Sequence, residues 1–197
     1  SRGLGDVYKR QGAARLNINL NSGTYILTAY NPINNEAKAS NVTVLSTING
    51  SDITKYYKNG TQYSAVVVDS NGTPIVNKTV KLNINGVFYN RVTDENGTVR
   101  LNINLDPATY IITVYNPSNG EENSNKIVVL SKLIAEDMKT DYQAGKSYKV
   151  KVVNGQGKAL ANQTVKININ GVIYNRVTDE NGTAYLAIRL NPGTYIS

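Results

Sequence analysis

The residue types that most enzymes use for catalysis are missing from this chain. Its 197 residues include no Cys, no His, no Trp and a single Met. Without Cys and His there is no disulfide, no thiol nucleophile, no imidazole base and no His/Cys metal site. Any chemistry must therefore come from carboxylates, lysines, tyrosines and amides.

Two short acidic segments are the remaining candidates for such chemistry, Asp69-Ser70-Asn71-Gly72 and Asp94-Glu95-Asn96-Gly97. Catalysis by carboxyl groups needs two facing acids or one with a shifted pKa, and the neighbours Asp94 and Glu95 point apart on a strand or turn. We therefore expect no enzyme activity. The segments lack the bidentate Glu and the ligand spacing of an EF-hand. We expect no metal and no cofactor. The alternative is one weakly bound calcium ion at a domain junction.

An internal repeat of 85 residues organises the chain. Leu-Asn-Ile-Asn-Leu at 16–20 returns at 101–105, and 47–112 match 132–197 at 33 of 66 positions without a gap. This register predicts a non-native tail at 1–11, the C-terminal part of one repeat at 12–46 and a complete repeat at 47–131. A third repeat, at 132–197, is expected to stop before its last two strands.

The alternation of apolar and polar residues predicts an all-β fold. Val80, Leu82 and Ile84 alternate with polar residues, which is the period of half-buried strands, and Asn-Gly pairs supply the positive φ of tight hairpins. No stretch has a convincing amphipathic helical pattern. About seven strands are predicted in each repeat, which indicates tandem β-sandwiches; in the complete repeat they are 52–57, 61–69, 79–85, 87–93, 98–105, 108–116 and 125–130.

The end of each repeat resembles a known family. Thr-Asp-Glu-Asn-Gly-Thr at 93–98, followed by 101–113, resembles the ending of bacterial and archaeal Ig-like surface repeats, and Cna-B-type and carboxypeptidase-regulatory-like domains end similarly. With 83–89 ahead of it, the unit is most similar to the Ig-like repeats of adhesin-like surface proteins of methanogenic archaea. The resemblance covers 12–197. It implies Ig-like sandwiches in an extracellular, cell-surface stalk that projects a distal binding region. The alternative is that the repeats are themselves adhesion modules.

One stretch of the repeat recurs almost unchanged. Residues 83–98 return at 168–183 with one change in sixteen, Phe88 to Ile173. This surface is a candidate site for a cell-surface glycan or protein, because aromatic and arginine side chains are common binding anchors; its main candidates are Tyr89, Arg91, Tyr174 and Arg176. We favour the alternative of recent duplication. In that case the turn residues recur because the turn conformation requires them, and Arg91 pairs with a local carboxylate.

Other recurring residues have structural interpretations. Tyr25, Tyr110 and Tyr195 each follow a turn and begin a strand, as the tyrosine-corner residue of Ig-like sandwiches does. Lys81, which recurs as Lys166, alternates outward, so we expect no Lys–Asn isopeptide bond. Eight Asn-X-Ser/Thr sequons are potential glycosylation sites, several of them created by the turn chemistry itself. The four main candidates are Asn59, Asn71, Asn96 and Asn181.

The net charge of +7 does not indicate a nucleic-acid partner. Residues 1–11 contribute +2 of it, and the densest basic stretch, Lys146, Lys149 and Lys151, is absent from the preceding repeat. A nucleic-acid domain is expected to repeat its phosphate contacts with its fold. We interpret these lysines as a solvated strand face that discourages edge-to-edge pairing. No apolar run is long enough for a membrane helix, so no membrane insertion of these residues is expected. The expected neighbours are other Ig-like repeats of the same chain.

The repeat boundaries predict how two fragments should behave. Residues 47–131 alone should unfold in one cooperative transition, whereas 132–197 alone should be poorly folded because two strands of its sandwich are missing. Thermal denaturation followed by circular dichroism distinguishes the fragments. A sharp transition in 132–197 would contradict the boundaries.

Overall fold

The computed structural model describes residues 15–195, all of whose regular elements are β-strands. The predicted all-β fold is confirmed. The proposed tail at 1–11 lies outside the described residues. The chain divides into two compact units, 1–46 and 47–197.

The first unit contains one antiparallel hairpin. Strand β1 (Gly23–Tyr30) pairs with β2 (Ala37–Val44), with Gly23 opposite Val44 and Tyr30 opposite Ala37. The Tyr25 hydroxyl donates a hydrogen bond of 2.8 Å to the carbonyl of Asn21. Tyr110 and Tyr195 bond in the same way to the carbonyls of Asp106 and Asn191. The predicted tyrosine corner is therefore present three times.

The complete repeat is a sandwich of a three-stranded and a five-stranded sheet. The sheet orders are β3-β5-β8 and β4-β10-β9-β6-β7. The strands are β3 (Ile48–Gly50), β4 (Ile53–Tyr56), β5 (Gln62–Val67), β6 (Thr79–Ile84), β7 (Val87–Val92), β8 (Thr98–Asn102), β9 (Ala108–Tyr115) and β10 (Glu122–Leu130).

The chain crosses from one sheet to the other at the start of this repeat. β3 pairs antiparallel with β5, whereas β4 runs parallel to β10, with Ile53 opposite Ile127. Between them, the Asp52 carboxylate accepts a hydrogen bond of 2.8 Å from the Lys126 amide. The strand predicted at 52–57 is thus β4, β3 is an additional strand that was not predicted, and β10 starts earlier than expected. β4 is held in place by residues of β10, more than seventy positions away.

Alternating side chains of both sheets form the core. The inward residues of β6 and β9, including Val80, Leu82, Ile112 and Val114, are fully buried. Each such side chain contributes about 1.5–3 kcal/mol relative to exposure. The Tyr63 hydroxyl donates to Asn125 Oδ1 at 2.7 Å. Burial, helped by the charge of Asp52, raises the pKa of Tyr63 to about 12.

A buried lysine crosses one end of this core. Lys55 on β4 is only 2 % exposed. Its ammonium group donates to the carbonyls of Asn59, Thr61 and Ile103 at 2.8, 3.0 and 2.7 Å. Burial lowers the pKa of Lys55 below its ordinary value. The buried lysine of this repeat is therefore Lys55, and its ammonium group binds main-chain carbonyls rather than the Asn side chain that an isopeptide bond requires.

The last repeat keeps only part of the sandwich in the described residues. Its sheets are β11-β12-β15 and β13-β14, with strands β11 (Leu133–Ala135), β12 (Ser147–Val152), β13 (Thr164–Ile169), β14 (Val172–Val177) and β15 (Thr183–Ala187). Residues 138–141, which correspond to β4, form no strand. In the complete repeat β4 pairs only with β10, and no described strand of the last repeat corresponds to β10. Its core is correspondingly smaller.

Most of the predicted Asn-Gly turns are confirmed. Asn85 and Gly86 both have positive φ, at 50° and 82°, which joins β6 to β7 in the turn type that matches strand twist. The exception is Asn59-Gly60, where the positive φ falls on Lys58 instead.

The Lys55 contacts predict a stability effect. Lys55→Met should lower the free energy of unfolding by about 2–3 kcal/mol, because it leaves the buried Ile103 carbonyl without its donor. Lys126→Met is the control: the Lys126 side chain is exposed, so the change should cost under about 0.5 kcal/mol. Urea denaturation of both variants makes the comparison. Equal effects would contradict the role of Lys55.

Candidate binding surface on the edge strands

The candidate binding residues Tyr89 and Arg91 lie on β7, the edge strand of the five-stranded sheet, and Tyr174 and Arg176 lie on the corresponding strand β14. Tyr89 lies opposite Leu82 and Arg91 opposite Val80, so both belong to the core-facing side of β7. Tyr89 is half-buried and packs against the core. Asn90, opposite Lys81, lies on the outer face. The continuous surface expected from the sequence is therefore divided between two faces.

The contacts of Arg91 are with an aromatic ring and a main-chain carbonyl rather than a carboxylate. Its guanidinium lies 6.0 Å from the centre of the Tyr89 ring and donates to the carbonyl of Asn90 at 2.7 Å. Arg176 repeats both contacts, with 5.8 Å to the Tyr174 ring and 2.7 Å to the Asn175 carbonyl. The expectation of a local carboxylate was wrong because Asp94 is bound instead by Arg100. In each repeat, the arginine therefore covers a core tyrosine.

The turn at 93–98 is held by internal bonds. The buried Thr93 hydroxyl accepts a hydrogen bond from the Lys78 amide. One oxygen of Asp94 accepts from the amides of Asn96 and Thr98 at 3.0 and 2.9 Å. The Arg100 side chain, followed by the Thr98 amide, lowers the pKa of Asp94. Asp179 binds its own turn in the same way, so these acids serve as turn caps.

Gly97 explains why this turn tolerates so little change. Its φ is +70°, and an added Cβ would lie 2.7 Å from the carbonyl oxygen of Val67. Gly182 has the same geometry against Val152. A side chain at either position would meet rigid backbone, so glycine is required for space as well as for conformation. Sequence reasoning recognised the turn but had no signal for this close approach.

The outer face of the sheet carries an aromatic cluster that sequence reasoning did not single out. The rings of Phe88 and Tyr115 lie 6.2 Å apart between centres. The Lys81 ammonium lies 5.2 Å from the Phe88 ring and 5.9 Å from the Tyr115 ring. The outward orientation predicted for Lys81 is confirmed. Its contacts could not be foreseen, because they depend on the pairing of β6 with both β7 and β9.

The four glycosylation candidates occupy different environments. Asn71, Asn96 and Asn181 are exposed in turns. Asn59 is half-buried, and its Nδ2 donates at 3.0 Å to the carbonyl of Gly155 in the last repeat. Nδ2 is the atom that a glycan would modify. Glycosylation of Asn59 therefore conflicts with a contact between successive repeats, while the other three side chains are accessible.

The basic stretch lies on a central strand. Lys149 and Lys151 belong to β12, which pairs with β11 on one side and β15 on the other. The proposed protection of a sheet edge was therefore wrong, because the sequence did not show which strands are central. Within residues 15–195, no group of three potential metal-ligating side chains is found. No helix of the described residues is long and apolar enough to span a membrane.

Comparison with known families matches the complete repeat. The model of macroglobulin domain MG4 matches residues 48–129. With the all-β architecture, this match supports an Ig-like β-sandwich, as expected from the sequence. No curated protein matches the chain.

Several solved structures resemble the chain at low similarity. A Ca²⁺-stabilized adhesin that helps an Antarctic bacterium reach out and bind ice is 16 % identical, with a TM-score of 0.32, over 83 % of this chain and 48 % of that one. A 1.5-MDa bacterial ice-binding adhesin is 14 % identical, with a TM-score of 0.28, over 82 % and 61 %. Bacteroides ovatus SGBP-B, in complex with a mixed-linkage heptasaccharide, is 13 % identical, with a TM-score of 0.32, over 86 % and 51 %. The chain thus spans about half the length of such structures, and likeness of this extent carries no functional conclusion.

The close approach at Gly97 predicts a difference between two glycines. Gly97→Ala should destabilise the chain by about 2–4 kcal/mol, since it adds a clash with backbone to the cost of positive φ. Gly72→Ala is the control, because Gly72 has a φ of +80° but nothing within 4 Å of the added carbon. That change should cost about 1 kcal/mol. Equal losses in chemical denaturation would show that space at Gly97 does not matter.

Proposed function

We propose that these repeats are non-enzymatic structural spacers of a cell-surface, adhesin-like protein, and that they project a binding region located elsewhere. The observation that supports this proposal is that residues of the recurring segment 83–98 make structural contacts within their own repeat. Thr93, Asp94 and Gly97 hold a turn, and Arg91 covers Tyr89. Recurrence of these residues therefore needs no ligand to explain it.

The closure of the complete repeat supports a load-bearing role. Two strands near its opposite ends, β4 and β10, are neighbours and run parallel. When the two ends of the repeat are pulled apart, the force acts on all the hydrogen bonds between β4 and β10 at the same time. A strand of eight residues spans about 26 Å, so each repeat adds roughly 30–40 Å of reach.

The contact between successive repeats fits the same role. Asn59 binds the carbonyl of Gly155, and a Cβ on Gly157 would clash with the ring and hydroxyl of Tyr56. The turn at 154–157 thus packs directly on the preceding repeat. Direct packing of this kind restricts bending between neighbours, which a spacer requires.

A second candidate function, adhesion, is favoured by a set of exposed residues that recurs in two repeats. Val87, Asn90 and Val92 recur as Val172, Asn175 and Val177, and all six are exposed. The valines are 53–61 % exposed and belong to none of the buried core clusters of the described residues. An adhesion module that binds a glycan or protein could use this edge of β7 and β14.

A binding experiment distinguishes the two functions. The whole chain, immobilised and tested on a glycan array and on cells, should give no saturable binding if it is a spacer. Any signal should be compared among the wild type, Arg91→Ala, Asn90→Ala and the control Lys126→Ala, whose side chain is exposed on another strand. Saturable binding that is lost in Arg91→Ala or Asn90→Ala but kept in Lys126→Ala would contradict the spacer proposal and establish the module.

A further inference from the structure

The β6–β7 hairpin leaves one edge of the five-stranded sheet open. β7 is the last strand in the order β4-β10-β9-β6-β7, so its only neighbour among the described strands is β6. The two-residue turn makes Ile84 and Val87 a hydrogen-bonded pair, and such pairs alternate along an antiparallel ladder. Every second residue of β7 therefore directs its amide and carbonyl away from β6; these residues are Phe88, Asn90 and Val92.

The outward backbone groups of β7 are mostly available for a further strand. Among residues 15–195, the hydrogen bond made to them is that of the Arg91 side chain, whose Nη1 donates to the Asn90 carbonyl at 2.7 Å. Exchanging this donor for another one costs little. On either side of Asn90, Phe88 and Val92 are 57 % and 61 % exposed. The edge therefore offers free backbone groups between two exposed apolar side chains.

β14 repeats this edge in the last repeat. The Arg176 Nη1 donates to the Asn175 carbonyl at 2.7 Å, which is the same bond as in β7. The one residue that changes in the recurring segment lies on this edge, where Ile173 replaces Phe88. Ile173 is 60 % exposed. The position thus keeps an exposed apolar side chain although the residue itself differs.

The sequence of β7 is complementary to itself when two copies run antiparallel around Asn90. In this register Asn90 lies opposite Asn90 of the second copy, and Phe88 lies opposite Val92. These residues carry the outward amides and carbonyls, so the two strands face each other in hydrogen-bonded pairs. On the core-facing side of the strand, Tyr89 lies opposite Arg91. The guanidinium, which lies 6.0 Å from its own Tyr89 ring, can contact the partner's ring instead.

Neighbouring registers lose this complementarity. A shift of one strand by two residues places Arg91 opposite Arg91 in one direction, and like charges directly opposite each other are unfavourable. In the other direction it places the apolar Phe88 opposite Asn90. A shift by one residue brings outward backbone groups against groups that point to β6, and exchanges the two faces of the strand. The register around Asn90 is therefore the one that the side chains select.

We propose that the β7 edge of one copy of this chain pairs antiparallel with the β7 edge of a second copy, around a twofold axis at Asn90, and that β14 offers a second edge of the same kind. The pairing joins two sheets by strand addition. The contact is small, so the dissociation constant should be about 10 µM to 1 mM. Several such edges in one array strengthen side-by-side association through multivalency. This association adds to the spacer role, and neither depends on the other.

A charge exchange at the axis tests the register. One whole chain carries Asn90→Asp with Asn175→Asp, and a second carries Asn90→Lys with Asn175→Lys. Each variant alone should associate about fivefold more weakly than the wild type, because like charges then face each other. An equimolar mixture should recover the wild-type affinity, since opposite charges then face each other. Sedimentation velocity over a concentration series measures all four samples.

The matched control places the same charges outside both edges. Thr54, on β4 at the other end of the same sheet, and Ser70, in a turn, are exposed. Thr54→Asp with Ser70→Asp, and the corresponding Lys pair, change the net charge equally and should gain nothing on mixing. A wild type that stays monomeric at about 1 mM would overturn the proposal. An edge-variant mixture no tighter than its components, or an equal gain in the control mixture, would overturn it too.

Disulfide trapping provides a second readout, because the chain has no cysteine of its own. Facing residues of a hydrogen-bonded pair lie about 5.5 Å apart between Cα atoms, within the range of a disulfide. The Asn90→Cys chain should therefore form a covalent dimer under mild oxidation. Thr54→Cys, exposed on the other edge strand, is the control and should give only background. Equal yields from the two chains would contradict pairing at β7.

Discussion

The parallel ladder between β4 and β10 is the contact on which the complete repeat depends. It joins β4, near the start of the repeat, to its last strand, and Asp52 aligns the two through the amide of Lys126. Once β4 is fixed there, Lys55 lies in the core and donates to three carbonyls from two other segments. The last repeat shows the converse. Its segment 138–141 forms no strand where no described strand corresponds to β10. The sandwich is therefore closed by one long-range pairing rather than by local strand preference.

The recurring residues of the repeat mostly keep this sandwich in shape. Thr93 bonds the backbone beneath the turn, Gly97 allows the turn to approach Val67, and Tyr110 anchors the loop before β9. The buried Asn116 donates to the carbonyl of Val68 at 2.8 Å and so ties the turn before β10 to the opposite sheet. These structural contacts are sufficient to explain why the same residue types recur in successive repeats. The exposed valines of β7 and β14 are the recurring residues for which the fold gives no internal role.

The sequence contained the local features of this structure but only part of its long-range contacts. Period-two patterns and Asn-Gly turns located most strands, because both depend on nearest neighbours. The tyrosine corner was also predictable, since its hydroxyl reaches only four residues back. By contrast, the pairing of β3, the burial of Lys55 and the partner of Arg100 depend on residues brought together by the fold. The central position of β12 was equally invisible, because alternation does not indicate how many neighbours a strand has.

Mechanical unfolding of a single molecule tests the load-bearing account most directly. When the chain is pulled from its two ends, the last repeat provides an internal comparison, because it lacks the β4–β10 type of ladder in the described residues. The account predicts that the last repeat yields first at low force. The complete repeat should then open in one step at clearly higher force and release on the order of 300 Å of chain. Rupture of the complete repeat at the same low force, or in gradual steps, would contradict the claim that the parallel ladder makes it a spacer.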